Sequence, residues 1–421
     1  HILFFFFKAK EFLIFSFATV GLEKEYLRKM KQSMFKVASF KANYLSLTLK
    51  EKAFIGLIIL DLLLLLFLGR AYTKSAFYSH LYYHDVILLI TFLFSFTFKS
   101  GFRLKPIELL SLIALIYLAI SIVFKFHPEG NLYIYLRQFM VFGYLIQSYF
   151  IFRAVAGLKN GLQILIQIIT AIAIIATILQ LGYILYIFFG VGENPFLKRN
   201  YFSPLTVPSV ITAVALGLTF LKSYKNIGVF LLLLILSLSF GHDSAYLAVI
   251  IIFLLSYFIS ASLKIKIILS IFAILSCLAL WFFVATFTDG NADARLLYWS
   301  KLLTKTTENF SIIYGNGFGV PYLSSEVAQK VNNIVLVFKR PESIYLVPPH
   351  NSFITMLYHL GGWILLIFYP LRRIFYGIRR VNNVLKFLIL SIVGVVIWAS
   401  FNVIFVGSYH LVFLLFRLLK Y

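Results

Sequence analysis

The stretch VPPHNSFITMLYHLGGWILLIFYPL, residues 347–371, begins with two prolines and a histidine. It continues, almost without charge, as an apolar segment long enough to cross a membrane as a helix. The whole chain has this character, because 61% of its 421 residues are hydrophobic, 13% are charged and the mean hydropathy is +0.94. Soluble globular domains are about 45–50% apolar. The sequence therefore predicts an integral membrane protein of the all-α class.

Apolar runs of similar length recur along the chain, separated by short basic connections, and predict about eleven or twelve transmembrane helices. The polar stretch 287–350 interrupts this pattern and is expected to form one large outer loop between helices 9 and 10, where functional residues are to be sought. The expected spans are 53–69, 84–98, 107–124, 134–152, 162–189, 204–221, 227–240, 245–261, 267–286, 351–370, 387–404 and 409–421.

The distribution of Lys and Arg predicts the orientation of these helices. Ten lie in the first 52 residues and sixteen in later connections of the same side, which makes 26 of 38. By the positive-inside rule this side is cytoplasmic, and so is the N-terminus. The net charge of +23 is thereby explained without a nucleic-acid partner, because the basic residues are spread over the inner ends of helices.

The expected organisation has four parts. Residues 1–52 form a basic cytoplasmic segment, 53–286 the first nine helices, 287–350 the outer (periplasmic) loop and 351–421 the C-terminal helices. Residues 1–33 lack a cleavage site and are interpreted as upstream translation, with Met30 or Met34 as the candidate start. The single cysteine, Cys277, lies within a span and has no disulfide partner in the chain.

Four charged or titratable residues are expected at the outer membrane face: Arg137, Arg199, Arg295 and His350. An arginine within a span is expensive unless it is paired or reaches water. Each arginine also has a simpler interpretation, in which its side chain extends to the lipid phosphates. Their expected convergence beside the large loop favours a binding site.

His350 follows Pro348 and Pro349, which suit the start of a helix and leave the histidine in the first turn. The helix dipole there favours the neutral imidazole, which is the form that a general base requires. Arginines on the same face match the oxygens of a phosphate or diphosphate. No His, Cys, Asp or Glu cluster has a metal-ligand spacing, so neither a metal site nor another cofactor is predicted.

Three motifs resemble the bacterial O-antigen polymerase and ligase superfamily, which are multi-span glycosyltransferases. ARLLYWSKLL followed by IIYGNGFG is similar to the Arg, three residues, Trp and Gly-rich turn of that family, with Arg295, Trp299, Gly315, Gly317 and Gly319 in those positions. PHNSFITMLYHLGG resembles the helix start that carries the family's histidine, here His350. KRNYFSPLTVPSV lies where the family has a diphosphate-binding arginine, here Arg199.

The resemblance implies a metal-independent, inverting glycosyltransferase at the outer face of a bacterial inner membrane. Its donor would be a polyprenyl-diphosphate-linked oligosaccharide held by Arg199, Arg295 and Arg137, and His350 would be the base. The favoured function is a polymerase of O-antigen or capsular repeat units. The alternative is a ligase that transfers the finished glycan to lipid A-core or to a protein hydroxyl, and a transporter or flippase is a third hypothesis. Membrane lipid and a chain-length regulator protein are the other expected partners.

Several residues keep two interpretations. Asn351 either orients His350 or caps its helix. Tyr298, Trp299, Tyr314, Phe318, Tyr322 and Tyr345 either stack on sugars or belong to the aromatic belts of membrane proteins. The chain departs from the family pattern at His359, Ile364, His242 and Asp243. Asp61, inside the first expected span, has no assigned role beyond that of a protonated or helix-paired carboxyl.

Overall fold

The structure is a computed structural model that consists almost entirely of helices. It describes residues 43–78, 81–99, 105–195, 202–203, 205–220, 228, 231–233, 235–236, 243–260, 290–308, 310–349, 351–369 and 383–399. The expected spans 267–286 and 409–421 lie outside these residues, as does most of 227–240.

The first half of the chain forms helices of very different lengths. They are α1 (Leu49–Phe67), α2 (Gly69–Lys74), α3 (Tyr83–Ser95), α4 (Lys105–Val123), α5 (Leu132–Gly157), α6 (Gly161–Leu185), α7 (Thr206–Phe220) and α8 (Asp243–Ser260). A π-helical turn, Tyr186–Val191, extends α6. A small antiparallel hairpin, β1 (Ala76–Tyr78) and β2 (Leu81–Tyr82), connects α2 to α3.

The second half alternates short and long helices. They are α9 (Gly290–Glu308), α10 (Ser311–Tyr314), α11 (Ser325–Ile334), α12 (Ser343–Leu346), α13 (Ser352–Leu360), α14 (Leu365–Phe368) and α15 (Asn383–Ala399). A 3-10 turn, Gly361–Ile364, separates α13 from α14.

Three helical stretches among the described residues are long and apolar enough to cross a membrane: Pro106–Val123, Leu132–Gly157 and Gly161–Val191. They coincide with α4, α5 and α6, which the sequence predicted as spans. Shorter apolar helices accompany them, and large apolar side chains such as Phe189 and Leu365 are exposed on the protein surface. The chain is therefore an α-helical membrane protein, as its composition predicted.

Polar caps explain why α1 begins earlier than hydropathy predicts. The backbone N–H of Thr48 donates to Glu51 Oε2 at 2.7 Å, and the N–H of Glu51 donates to Thr48 Oγ1 at 3.3 Å. This reciprocal pair satisfies N–H groups that the helix leaves unpaired at its start. The helix consequently begins at Leu49, four residues before the apolar run at 53.

Two helix groups share α6. In the first, α1 packs on α3, α3 packs on α5, and their apolar residues form one core with α6. In the second, α7 packs on α6, α8 and α15. Gly394 of α15 permits this approach, since a Cβ there would lie 2.5 Å from Ile211 Cγ2. Small residues allow such close contact between membrane helices.

The segment 290–349, predicted as a polar loop, is largely helical and packs on the membrane helices. Tyr298 of α9, Val331 of α11 and Tyr358 of α13 belong to one buried cluster. Phe318, between α10 and α11, is buried in a different cluster with residues of α4, α5 and α13. The segment therefore anchors α13 to the helices near the start of the chain.

The stretch 351–370 was expected to be one apolar span and is instead interrupted. α13 ends at Leu360, Gly361 has a φ of +58°, and a 3-10 turn follows before α14. Tight packing explains the break, because a Cβ on Gly361 would lie 2.5 Å from the backbone nitrogen of Gly315. The backbone at the end of α10 thus packs directly against the point where α13 ends.

Asp61, which the sequence indicated only as a protonated or helix-paired carboxyl, is bonded to two side chains from neighbouring helices. Its Oδ1 accepts from the hydroxyl of Tyr72 at 2.6 Å and lies 3.0 Å from Nδ1 of His84. Asp61 is fully buried, and its Oδ2 has no hydrogen-bond partner among the described residues. The adjoining Asp85 accepts from the hydroxyl of Tyr144 at 2.5 Å. This polar cluster ties α1, α2, α3 and α5 together.

Replacing Tyr72 by phenylalanine should lower the free energy of unfolding by about 1–3 kcal/mol, because a buried carboxylate oxygen loses its shortest hydrogen bond. Tyr186→Phe is the matched control, since Tyr186 is 62% exposed. Thermal unfolding in detergent, followed by size-exclusion fluorescence, measures both variants. Equal transition temperatures for the two would show that the Tyr72 hydroxyl contributes nothing to stability.

Candidate functional site

Two consecutive aromatic residues of α9 hold the chain just before His350. The indole Nε1 of Trp299 donates to the carbonyl of Pro349, and the hydroxyl of Tyr298 donates to the carbonyl of Val347 at 2.6 Å. Tyr298 is 4% exposed, so its bond is made away from solvent. The two bonds fix the approach of the chain to the start of α13.

Asn351 caps α13. Its Oδ1 accepts from the backbone N–H groups of Phe353 and Ile354, each at 3.0 Å. These two groups would otherwise lack partners, since the first N–H groups of a helix have none within it. Of the two interpretations of Asn351, capping is the one that the geometry shows. The cap places the start of α13 at Ser352, so the prediction that His350 lies in the first turn of this helix is wrong.

The predicted site residues are only partly within the described part of the chain. His350 and Arg199 lie outside it, as does His242. Arg295 lies on α9, half-buried, one helical turn before Trp299. Residues four apart lie on the same face of a helix. Arg295 therefore lies on the face of α9 whose Trp299 bonds the chain next to His350.

Arg137 lies on α5, near the segment 290–349. It is exposed, and it forms no hydrogen bond or ion pair within the described ranges. Burial raises the pKa of Tyr322, and the positive charge of Arg137 opposes that rise. Arg137 is thus within electrostatic range of Tyr322, although none of the described contacts joins it to α9.

The Gly-rich turn has the backbone that its glycines predict, and it lies deeper in the protein than a surface loop. Gly315 and Gly319 both have a φ of +83°. A Cβ on Gly315 would lie 2.2 Å from the carbonyl oxygen of His359, and one on Gly319 would lie 2.2 Å from Cε1 of Tyr135. Only glycine combines this backbone with this closeness.

Side chains from α4 and α5 satisfy part of the non-helical backbone of this turn. Gln138 of α5 accepts from the N–H of Gly319 at 2.6 Å and donates to the carbonyls of Val320 and Tyr345 at 3.0 and 2.9 Å. Ser121 of α4 accepts from the N–H of Phe318 at 2.9 Å. Irregular backbone at membrane depth is tolerated where protein groups replace water in this way. The segment 315–321, called here the inserted turn, meets that condition.

His359 closes the inserted turn from α13. Its Nδ1 lies 2.7 Å from the carbonyl oxygen of Gly317 and its Nε2 lies 3.0 Å from the hydroxyl of Tyr322. A carbonyl only accepts, so Nδ1 carries the hydrogen, and in the neutral ring Nε2 accepts from Tyr322. The ring is fully buried and stacks on Phe318. His359 is therefore a structural residue, and its role had no signal in the sequence beyond its place on an apolar helix.

Lys305 of α9 completes the other end of the inserted turn. Its Nζ donates to the carbonyl of Pro321 at 2.7 Å and to the hydroxyl of Tyr358 at 3.0 Å, and Tyr358 itself donates to Pro321 at 2.7 Å. Burial lowers the pKa of Lys305. These bonds connect α9 to α13 through the turn, so the position of Arg295 depends on it.

Replacing Gln138 by leucine should destabilise the protein by about 3 kcal/mol or more, because a backbone N–H and two carbonyls lose their partner in a dry site. Gln163→Leu, at an exposed position of α6, is the matched control and should have little effect. The measurement is the thermal transition in detergent. If Gln138→Leu unfolds at the same temperature as Gln163→Leu, other groups or water must satisfy the inserted turn.

The buried aromatic residues do not present faces to a sugar. Tyr298, Phe318 and Tyr322 are at most 4% exposed and belong to packed clusters. Tyr345 is half-buried against the His127 ring at 4.7 Å. Trp299 is only partly buried, so it remains the aromatic candidate for sugar stacking, whereas Tyr314 is exposed on α10 among apolar side chains.

Within the described residues, no three His, Cys, Asp or Glu side chains are placed to hold a metal ion. The absence of a metal site in the whole protein stays a prediction from sequence. No family model matches the chain, and searches of curated proteins and of solved structures find no match either.

Proposed function

We propose that this protein is a polymerase of O-antigen or capsular polysaccharide repeat units. The observation that carries the proposal is the bond from Trp299 to the Pro349 carbonyl, which joins the helix of Arg295 to the capped helix start that follows His350. A cation at Arg295 and a base at His350, 55 residues apart in the sequence, would thereby act on one substrate. Gly315 and Gly317 support this arrangement through the inserted turn that holds α9 against α13.

In the proposed reaction the donor is an oligosaccharide linked through diphosphate to a polyprenol. Arg295 and Arg199, with Arg137, would hold the diphosphate, because guanidinium groups match its oxygens and offset the negative charge that develops as it departs. His350 would accept the proton of an acceptor sugar hydroxyl, whose oxygen attacks the anomeric carbon. The bond from that carbon to the diphosphate oxygen breaks with the electron pair leaving on the diphosphate, and the anomeric configuration inverts.

Arg137 supports lateral entry of the donor. It is exposed on α5, one of the helices long enough to span the membrane. It is next in sequence to Gln138, which binds the inserted turn. A charge on such a helix is expensive unless it reaches water or binds an anion. This exposed guanidinium is therefore available to a diphosphate that arrives from the lipid.

The membrane topology of the proposed polymerase is the one predicted from sequence. The chain would cross a bacterial inner membrane about eleven or twelve times with a cytoplasmic N-terminus, and 287–350 would lie at the periplasmic face. A chain-length regulator protein would be a further partner.

A lipopolysaccharide or capsule gel from a strain that lacks the gene tests the function. A polymerase is expected to leave core carrying a single repeat unit in the deletion strain, and the complete ladder returns with the wild-type gene. Bare core with accumulated lipid-linked polymer would identify a ligase instead. Accumulation of single lipid-linked units on the cytoplasmic side would identify a flippase and would overturn the proposed chemistry.

A further inference from the structure

The short helix α10 presents large apolar side chains on the surface of a segment that the sequence predicted to be polar. Phe310, just before the helix, is 69% exposed, Ile313 is 65% exposed and Tyr314 is 51% exposed. Ser311, on the other side of the same turn, is buried and its hydroxyl donates to Asn316 Oδ1 at 3.0 Å. The polar side of α10 thus faces the protein and the apolar side faces outward.

The contacts of α10 place it beside the interrupted apolar stretch 352–367. It packs against the 3-10 turn Gly361–Ile364 and against α13. The N–H groups of Asn316 and Gly317 donate to the carbonyls of Tyr358 and His359 at 2.8 and 3.0 Å, so α10 is held directly against this stretch. Gly361 lies nine residues after Ser352, which corresponds to about 14 Å along a helix. The hydrocarbon core of a bilayer is about 30 Å thick. The helix from Ser352 to Gly361 is therefore almost as long as one leaflet of that core is thick.

The exposed apolar surface continues from α10 onto a membrane-spanning helix. Trp363 and Leu365, on the adjoining turn and α14, are 42% and 68% exposed. α14 packs on α4, and only 28% of the apolar window of α4 is buried within the protein. The exposed apolar surface of α4 therefore requires lipid. From α4 the surface continues over α14 and the 3-10 turn to α10, because each of these elements packs on the next.

We infer that α10 is immersed in the hydrocarbon of the lipid bilayer as part of a re-entrant segment, with Phe310, Ile313 and Tyr314 in contact with acyl chains. The inserted turn that follows α10 returns the chain through protein, where Gln138, Ser121 and His359 satisfy its backbone. Exposed apolar side chains are stable in lipid, whereas a patch of them in water would be unfavourable.

Glu308 limits how deep α10 can lie. Its carboxylate is exposed at the end of α9 and is expected to stay at the level of the lipid headgroups. The three residues from 308 to 311 span at most about 10 Å. Phe310 and α10 can therefore enter the upper part of the hydrocarbon while Glu308 remains in the interface.

Nitroxide accessibility in proteoliposomes tests the inference. The single cysteine is removed by Cys277→Ser, and spin labels are attached in separate variants at Phe310→Cys and Ile313→Cys, with Asn333→Cys on α11 as the exposed polar control. Oxygen concentrates in the bilayer, and nickel ethylenediaminediacetate stays in water. The oxygen-to-nickel accessibility ratio at 310 and 313 should be several-fold higher than at 333.

Two results would overturn the inference. If the labels at 310 and 313 collide with the nickel reagent as often as the label at 333, α10 is in water. If they are protected from both reagents, protein covers α10, and a second copy of the chain or another protein is its partner. All three positions carry exposed side chains, so the labelled variants should elute as the wild type does on size exclusion, which verifies that each is folded.

Discussion

Replacing His350 by alanine should abolish polymer formation in the complementation experiment, while the protein accumulates in the membrane as the wild type does. Loss of a general base lowers turnover by roughly 10²–10⁴-fold, which removes a visible ladder from a gel. The preceding bond from Trp299 and the following cap from Asn351 do not involve the histidine side chain. Stability should consequently be preserved when activity is lost.

His350→Gln and Asn351→Ser sharpen this test. Glutamine keeps a polar side chain but cannot act as a base near neutral pH, so it should be as inactive as alanine. Serine is also a good N-cap, so Asn351→Ser should keep both stability and the ladder if Asn351 serves only as a cap. A full ladder from His350→Ala would remove His350 as the base and would leave the arginines as the only proposed chemical residues.

Gly315→Ala should be among the most destabilising single substitutions in the protein, with a loss of about 3 kcal/mol or more in the free energy of unfolding. The backbone at Gly315 has a φ of +83°, where a Cβ is strained even in open space. The Cβ would also lie 2.2 Å from the carbonyl oxygen of His359, a backbone atom that cannot rotate away. This clash could be relieved only if the inserted turn separated from α13.

Gly362→Ala is the matched control for this substitution. A Cβ on Gly362 would have its nearest neighbour, the carbonyl oxygen of Ile313, at 3.5 Å, which is an ordinary contact. Thermal transitions in detergent and the yield of monodisperse protein measure both variants. Similar transitions for Gly315→Ala and Gly362→Ala would show that the inserted turn is not held as closely as its geometry indicates.

The sequence predicted helices best where the signal is local. The predicted spans 107–124 and 134–152 correspond to α4 and α5, and 162–189 corresponds to α6 with its π-helical turn. A long apolar run has few alternatives in lipid, because a helix satisfies its own backbone groups. The predicted helix starts were less accurate where a polar cap extends the helix beyond its apolar run, as at Thr48 and Asn131.

Hydrogen bonds between residues far apart in the chain could not be predicted in this way, because no local pattern in the sequence identifies the two partners. Gln138 and Gly319 are 181 residues apart, and Ser121 and Phe318 are 197 apart. A glutamine or serine in an apolar helix indicates that a partner is needed, but many backbone groups in the chain could supply one. Asp61 illustrates the same difficulty, since Tyr72 and His84 became its partners only through the packing of α1, α2 and α3.

By itself, the sequence determined that this protein is built of helices in a membrane and that its glycines at 315, 317 and 319 form a turn. These properties depend on composition and on neighbouring residues. Only the tertiary structure decided that the turn is inserted between α4, α5 and α13, that His359 is buried against it, and that the apolar stretch after His350 is interrupted at Gly361. The reason is that each of these features depends on which distant backbone atoms the packed helices bring within hydrogen-bond distance.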